Sequence, residues 1–163
     1  MIRVLFVCTG NVCRSPLAEA LLKREVEARR LDGVEVSSAG TGAWDGAPAS
    51  EGAYLVGLEH DLDLSGHRAR PLTREVLEQA DLVLTMSRHH RARVRELDRS
   101  ARVFLLGEYA GRTGGTEEVP DPFGGDLDVY RHTYADLDEL IRVAAGRLTS
   151  RLTSDGDAAG SGH

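Results

Sequence analysis

The segment Cys8-Thr9-Gly10-Asn11-Val12-Cys13-Arg14-Ser15 constrains this chain more than any other part of it. It follows the apolar run Ile2-Arg3-Val4-Leu5-Phe6-Val7 and leads through Pro16 into a stretch with helical patterning. A thiol therefore ends a strand, and an arginine six residues later sits where a helix begins. The backbone between them must curl, and Gly10 and Asn11 are residue types that tolerate the positive φ of such a curl. Ser15-Pro16 reads as a helix start, with serine as the cap and proline at the first helical position. The free N–H groups and the positive dipole end of that helix then face the loop, forming a site for a tetrahedral oxyanion. A thiol that ordinarily ionises near pH ~8.5 is shifted toward thiolate in such a setting. Hydroxyls at Thr9 or Ser15 can donate to the sulfur, and Arg14 offers a planar fork for two phosphoryl oxygens. A buried core cysteine beside a surface arginine is the plainer alternative. It does not account for this set of residues between a strand and a helix start. The pattern points to phosphate removed through a covalent cysteine intermediate.

Downstream the pattern alternates. Strand 2–7, a helix over about 16–30 and strand 34–38 precede a glycine-rich loop at 40–48. Helices are expected near 49–58, 73–79 and 88–97, strands over 81–86 and 102–106, and a long loop over 107–125. Strands alternating with helices predict an α/β domain whose parallel sheet is covered on both faces. Leu127, Tyr130, Tyr134, Leu137, Ile141, Ala144 and Leu148 step by three and four, so 126–150 reads as one amphipathic helix. The small, polar stretch 153–163 is expected to be a disordered tail behind a single domain over 1–152.

Composition narrows the class. A length of 163 residues suits one domain with a real core. The formal charge of −6 argues against nucleic acid or an anionic membrane as the main partner. No apolar run reaches the ~18 residues of a membrane span, and the N-terminal run is too short for a signal peptide. The two cysteines flank a glycine turn and are no disulfide framework, so a reduced, cytoplasmic, monomeric protein is expected.

Several weaker signals carry less. The Gly40/Gly42 stretch misses a dinucleotide fingerprint because Asp45 replaces its third glycine, and no nucleotide cofactor is expected. The carboxylates lack metal-ligand spacing, and His89-His90 reads as a solvated helix end, so no metal is expected. Arg88, Arg91 and Arg95 share one helical face, which reads as solvated rather than as a nucleic-acid surface. Alone, His67 in a Ser-Gly-His turn is a surface or structural histidine. Trp44, the single tryptophan, lies in a glycine-rich loop that admits either core packing or a pocket wall. Asp121, in Pro120-Asp121-Pro122-Phe123-Gly124-Gly125, is either a turn residue or a carboxylate held over a pocket.

The segment Phe6-Val7-Cys8-Thr9-Gly10-Asn11-Val12-Cys13-Arg14-Ser15-Pro16 resembles the signature of the low-molecular-weight protein phosphatases of the tyrosine phosphatase type. The resemblance continues through Ser38-Ala39-Gly40-Thr41, His67-Arg68-Ala69-Arg70, Asp81-Leu82-Val83-Leu84-Thr85-Met86 and Val119-Pro120-Asp121-Pro122-Phe123. It implies a four-stranded parallel sheet with the phosphate loop after the first strand. It implies Cys8 as nucleophile, Arg14 as phosphoryl clamp and Asp121 as the acid that protonates the leaving atom and then activates water. It also implies Asn11 as a brace for the loop with Ser38 and His67 as partners, and Trp44 and Phe123 as pocket walls. Cys13 either packs as a small apolar residue or captures oxidised Cys8 as a disulfide, and the family precedent favours capture.

Two branches of that family differ in substrate, and the chain carries marks of both. Cys8-Thr9-Gly10-Asn11 and the flank from Asp121 to Tyr130 look like the protein-arginine branch. Val12 stands where that branch carries threonine and the tyrosine branch a branched aliphatic, and an apolar side chain suits an aromatic ring. Phosphotyrosine on a phosphorylated protein is therefore the expected substrate, with phosphoarginine as the alternative. Arsenate reduction would relay a disulfide through further cysteines, and only Cys8 and Cys13 are present. A non-catalytic oxyanion or redox module would tolerate loss of the nucleophile or the acid, and both Cys8 and Asp121 remain.

Overall fold

Apolar residues run through strand β1 (Ile2–Cys8) almost without alternation, and the strand is buried on both sides. Such a strand belongs inside a parallel sheet. In the structure, a computed structural model that describes residues 1–161, four parallel strands lie in the order β2-β1-β3-β4. Strand β2 is Val34–Gly40, β3 is Leu82–Thr85 and β4 is Val103–Leu105. Helices α1 (Arg14–Ala28), α2 (Glu51–Glu59), α5 (Leu106–Tyr109) and α6 (Leu127–Ser161) supply one core; α3 (Arg74–Glu78) and α4 (Arg88–Leu97) supply the other. This is the single four-stranded parallel α/β fold expected from the sequence.

Period-two geometry sorts the side chains of β1 between the two cores. Val4, Phe6 and Cys8 pack with Leu17 and Leu21 of α1 and with Leu137 and Ile141 of α6. Leu5 and Val7 pack with Leu77 and Val94 on the opposite face. Cys8 pairs with Gly40 in register, so the first turn of α1 and the end of β2 meet at the same sheet edge.

Three boundaries differ from the sequence expectations. Helix α1 begins at Arg14 with Cys13 at its N-cap and no side-chain cap bond, so Ser15 and Pro16 are its second and third residues. First-turn N–H groups have no carbonyl partner within a helix, so proline is tolerated throughout that turn, and Ser15 is free for another partner. Helix α5 interrupts the expected long loop; four residues are too few to display a helical period. Helix α6 continues past residue 150 to Ser161, because adding residues to an existing helix needs no new nucleus. Residues 162–163 lie outside the described residues.

Candidate active site

Between β1 and α1 the chain turns sharply at Asn11, whose φ of 56° is left-handed. Asparagine tolerates that region at little cost. Gly10 does not share the positive φ; the turn needs it at one residue only. Among the described residues, none of the backbone N–H groups of residues 9 to 13 donates to a protein acceptor. With the unpaired first-turn amides of α1, they form a ring of donors open to an anion.

Behind this ring, Asn11 is completely buried and organises a chain of polar contacts. Its Oδ1 accepts from the backbone N–H of Arg70 at 2.9 Å, which fixes the orientation of the amide. Its Nδ2 then donates to Ser15 Oγ at 2.8 Å and to Ser38 Oγ at 2.9 Å. Ser38 Oγ donates in turn to Glu19 Oε1. His67 Nε2 donates to the backbone carbonyl of Asn11 at 2.6 Å. Since Ser15 accepts from Asn11, its hydroxyl hydrogen is available to Cys8 Sγ, 2.9 Å away. The structure thus joins Asn11, Ser15, Ser38 and His67 into one brace behind Cys8.

Arg14 is 3% exposed. Its Nη1 donates to the carbonyl of Val119 at 2.9 Å and reaches Ser87 Oγ at 3.4 Å, while Nη2 lies 3.6 Å from Asp121 Oδ2. Its Nε is buried without a partner, a state that costs about 1–3 kcal/mol unless an anion accepts from it. The Asp121 side chain is 50% exposed and its Oδ1 accepts from Phe123 N–H at 3.0 Å.

A cavity of about 300 Å³ gathers these groups. Cys8, Thr9, Gly10, Val12, Cys13 and Arg14 line it from the loop, and Trp44, Ala47, Asp121 and Phe123 line it from the other side. Trp44 is 83% exposed and Phe123 71%, so the tryptophan belongs to the cavity mouth and not to the core. A larger groove of about 810 Å³ lies at the free edge of β2 among Arg3, Lys23 and Arg70. Its lining contains no cysteine or histidine, whereas the smaller cavity brings Cys8, Arg14 and Asp121 together.

Cys13 Sγ reaches Ser50 Oγ at 3.2 Å and Tyr130 Oη at 3.3 Å. Burial pushes the Cys13 thiol up, and burial with the Cys13 contact pushes the Tyr130 hydroxyl up to about 12. Both groups are protonated at neutral pH. Cys8 and Cys13 are both free thiols here.

Three residues near the site carry no sequence signal strong enough to single them out. Gly40 is required sterically, because a Cβ there would lie 2.4 Å from the Thr9 carbonyl and 2.9 Å from the Asn11 nitrogen. Arg70 contributes its backbone N–H to Asn11 and its Nε to the Ser38 carbonyl. His90, expected at a solvated helix end, is instead completely buried, with Nε2 2.8 Å from Thr9 Oγ1. The period of α4 explains it: His90 and Val94, four apart, form the inward stripe beneath a charged exterior. Of that exterior, Arg88 pairs with Glu117 and Glu118, and Arg91 with Glu108. Among the described residues, no group of His, Cys, Asp and Glu is arranged to hold a metal, and no helix is long and apolar enough to cross a membrane.

A thiol at the end of a parallel strand, an anion-ready turn, a buried arginine and a carboxylate across one cavity define a cysteine-dependent phosphatase. The sequence profile described as low molecular weight phosphotyrosine protein phosphatase matches residues 3–155, and the chain belongs to that family. It is 43% identical to the protein-arginine-phosphatase of Bacillus subtilis (strain 168) over 147 residues, covering 89% of this chain and 95% of that one. It is 36% identical to the low molecular weight protein-tyrosine-phosphatase Etp of Escherichia coli (strain K12) over 148 residues, covering 90% and 94%. The structure of the YwlE arginine phosphatase from Geobacillus stearothermophilus superposes with a TM-score of 0.85 at 38% identity, covering 94% of this chain and 97% of that one.

Proposed function

We propose that the cavity hydrolyses phosphotyrosine on protein substrates in two steps. The Cys8 sulfur attacks phosphorus, the bond to the tyrosyl oxygen breaks, and Asp121 gives that oxygen its proton. Water then attacks the phosphocysteine, Asp121 takes the proton back, the sulfur–phosphorus bond breaks and inorganic phosphate leaves. Arg14 and the loop amides hold the equatorial oxygens throughout, and Arg14 Nε gains the acceptor it lacks at rest. Ser15 donates to the sulfur as it leaves phosphorus. No step asks for a metal or a cofactor.

The choice of phosphotyrosine rests on Val12. Its apolar side chain lines the cavity beside Trp44 and Phe123, a surface for a flat aromatic ring and not for a guanidinium with several N–H groups to satisfy. A second reading, phosphoarginine, is favoured by the 43% identity to a protein-arginine-phosphatase and by the Asp121 carboxylate at the cavity mouth. The test compares kcat/KM on a phosphotyrosine peptide and a phosphoarginine peptide, with Val12→Thr beside the parent. Phosphotyrosine is expected to win by about tenfold or more, with threonine narrowing the gap. Preference for phosphoarginine by the parent would overturn the choice and move the selection of substrate to the Phe123 loop.

A further inference from the structure

We propose that His90 is a positioning residue that makes the Thr9 hydroxyl a fixed hydrogen-bond donor to the phosphoryl group bound at Cys8. The proposal rests on the reading of Cys8 as nucleophile given above.

The direction of each bond follows from what its partner can do. His90 Nδ1 lies 3.1 Å from the backbone N–H of Ser87, and a backbone N–H only donates. Nδ1 therefore carries the lone pair, and the ring proton sits on Nε2. Nε2 lies 2.8 Å from Thr9 Oγ1, so the ring donates to the hydroxyl. With that side of the oxygen taken, the hydroxyl hydrogen is left for another acceptor. Thr9 has no acceptor for it among the described residues, and it lines the cavity with Cys8 and Arg14. A phosphoryl oxygen in that cavity is the acceptor it faces.

The arrangement repeats, at Thr9, what Asn11 does to Ser15. In each case a buried nitrogen donor occupies a hydroxyl oxygen and frees its hydrogen for the reacting centre. Burial, aided by His89 and Arg14, holds the His90 pKa down to about 3, so the ring stays neutral and the Ser87 N–H fixes its tautomer. The same turn of α4 also contacts the phosphoryl clamp, since Ser87 Oγ receives Arg14 Nη1. One helix start thus touches both Thr9 and Arg14.

Two amide substitutions separate the two ring nitrogens. Asparagine puts an acceptor near Nδ1 and keeps the Ser87 contact, but stops short of Thr9. Glutamine puts an N–H near Nε2 and reaches Thr9. On a phosphotyrosine peptide, His90→Asn is expected to lower kcat about tenfold with KM within about twofold, and His90→Gln to recover most of it. Thr9→Val should cost at least as much, and His90→Asn should then add nothing in the Thr9→Val background. Equal kcat in the Asn and Gln variants, or fully additive losses, would overturn the proposal. Nitrogen-15 NMR of the parent imidazole supplies a second readout that needs neither a variant nor turnover. Nε2 should carry the proton and shift when inorganic phosphate binds; a proton on Nδ1, or a ring blind to phosphate, would overturn the assignment. A parent that binds phosphate but hydrolyses no phosphopeptide would sink the catalytic reading separately, with the imidazole spectrum still deciding the role of His90.

Discussion

The loop that carries Cys8 and the loop that carries Asp121 meet in one cavity but are held in opposite ways. In the first, Cys8, Asn11, Cys13, Arg14 and Ser15 are all buried, and Asn11 alone makes three side-chain hydrogen bonds and one through its carbonyl. In the second, Asp121 and Phe123 face solvent, and the turn is shaped by Phe123 N–H on Asp121 and Gly125 N–H on Pro122. Its root is firm, because Val119 is completely buried and receives Arg14. Under the proposed mechanism the contrast puts preorganisation on the Cys8 side and freedom on the Asp121 side. A transition state rewards donors already in place, whereas an acid must approach and leave a moving proton.

The largest test of this contrast is Cys8→Ser. Turnover should fall by on the order of 10⁴ or more while phosphate binding persists and stability changes by about 1 kcal/mol or less. Steady-state kinetics with equilibrium phosphate titration checks it, and preserved turnover would remove Cys8 as nucleophile. Next comes Asp121→Asn, expected to lower kcat ~10²–10³-fold on a substrate with a poor leaving group and far less on one with a good leaving group. A loss independent of the leaving group would mean that Asp121 is not the acid. Stability should hold within about 1 kcal/mol, since the carboxylate is half exposed. The smallest of the three is Asn11→Ala, which should lower unfolding free energy in urea by ~2–4 kcal/mol, from orphaned buried partners and alanine in a left-handed turn. Asn11→Gly should return part of that, about 1 kcal/mol, by removing the strain alone. If Asn11→Ala proved as harmless to stability as Asp121→Asn, the difference between the two loops would collapse.

The same contrast shows what the amino-acid sequence made legible. The apolar run of β1, the stepping stripe of α6 and the alternation between them gave the sheet and its covering, because those signals repeat over many residues. Cys8 and Arg14 stood out through residue type and spacing, and Asp121 only through the resemblance to the phosphatase family. What stayed hidden depends on contacts distant in the chain. Gly40 matters because Thr9 and Asn11 cross it, a fact no local window contains. His90 lies in a helix of four arginines and two histidines whose inward stripe is only two residues wide. Ser15 read as a helix cap because serine before proline usually is one; the helix starts two residues earlier, at Arg14 instead of Pro16, and leaves the hydroxyl to the sulfur.

Burial of an uncharged His90 also ties the fold to proton activity. The unfolded chain takes up a proton at that ring near its ordinary pKa of 6.5, whereas the folded chain refuses it until about 3. Between those values the unfolded state binds more protons, so stability rises with pH and falls as the solution is acidified. One such group contributes a slope of up to about 1.4 kcal/mol per pH unit between those values, and its stabilisation is full above the upper value and progressively lost below it. Urea unfolding of the parent and of His90→Gln between pH 7 and pH 5 measures this share directly, with a shallower slope expected for glutamine. Keeping this one imidazole buried and neutral thereby adds a destabilising contribution from acid.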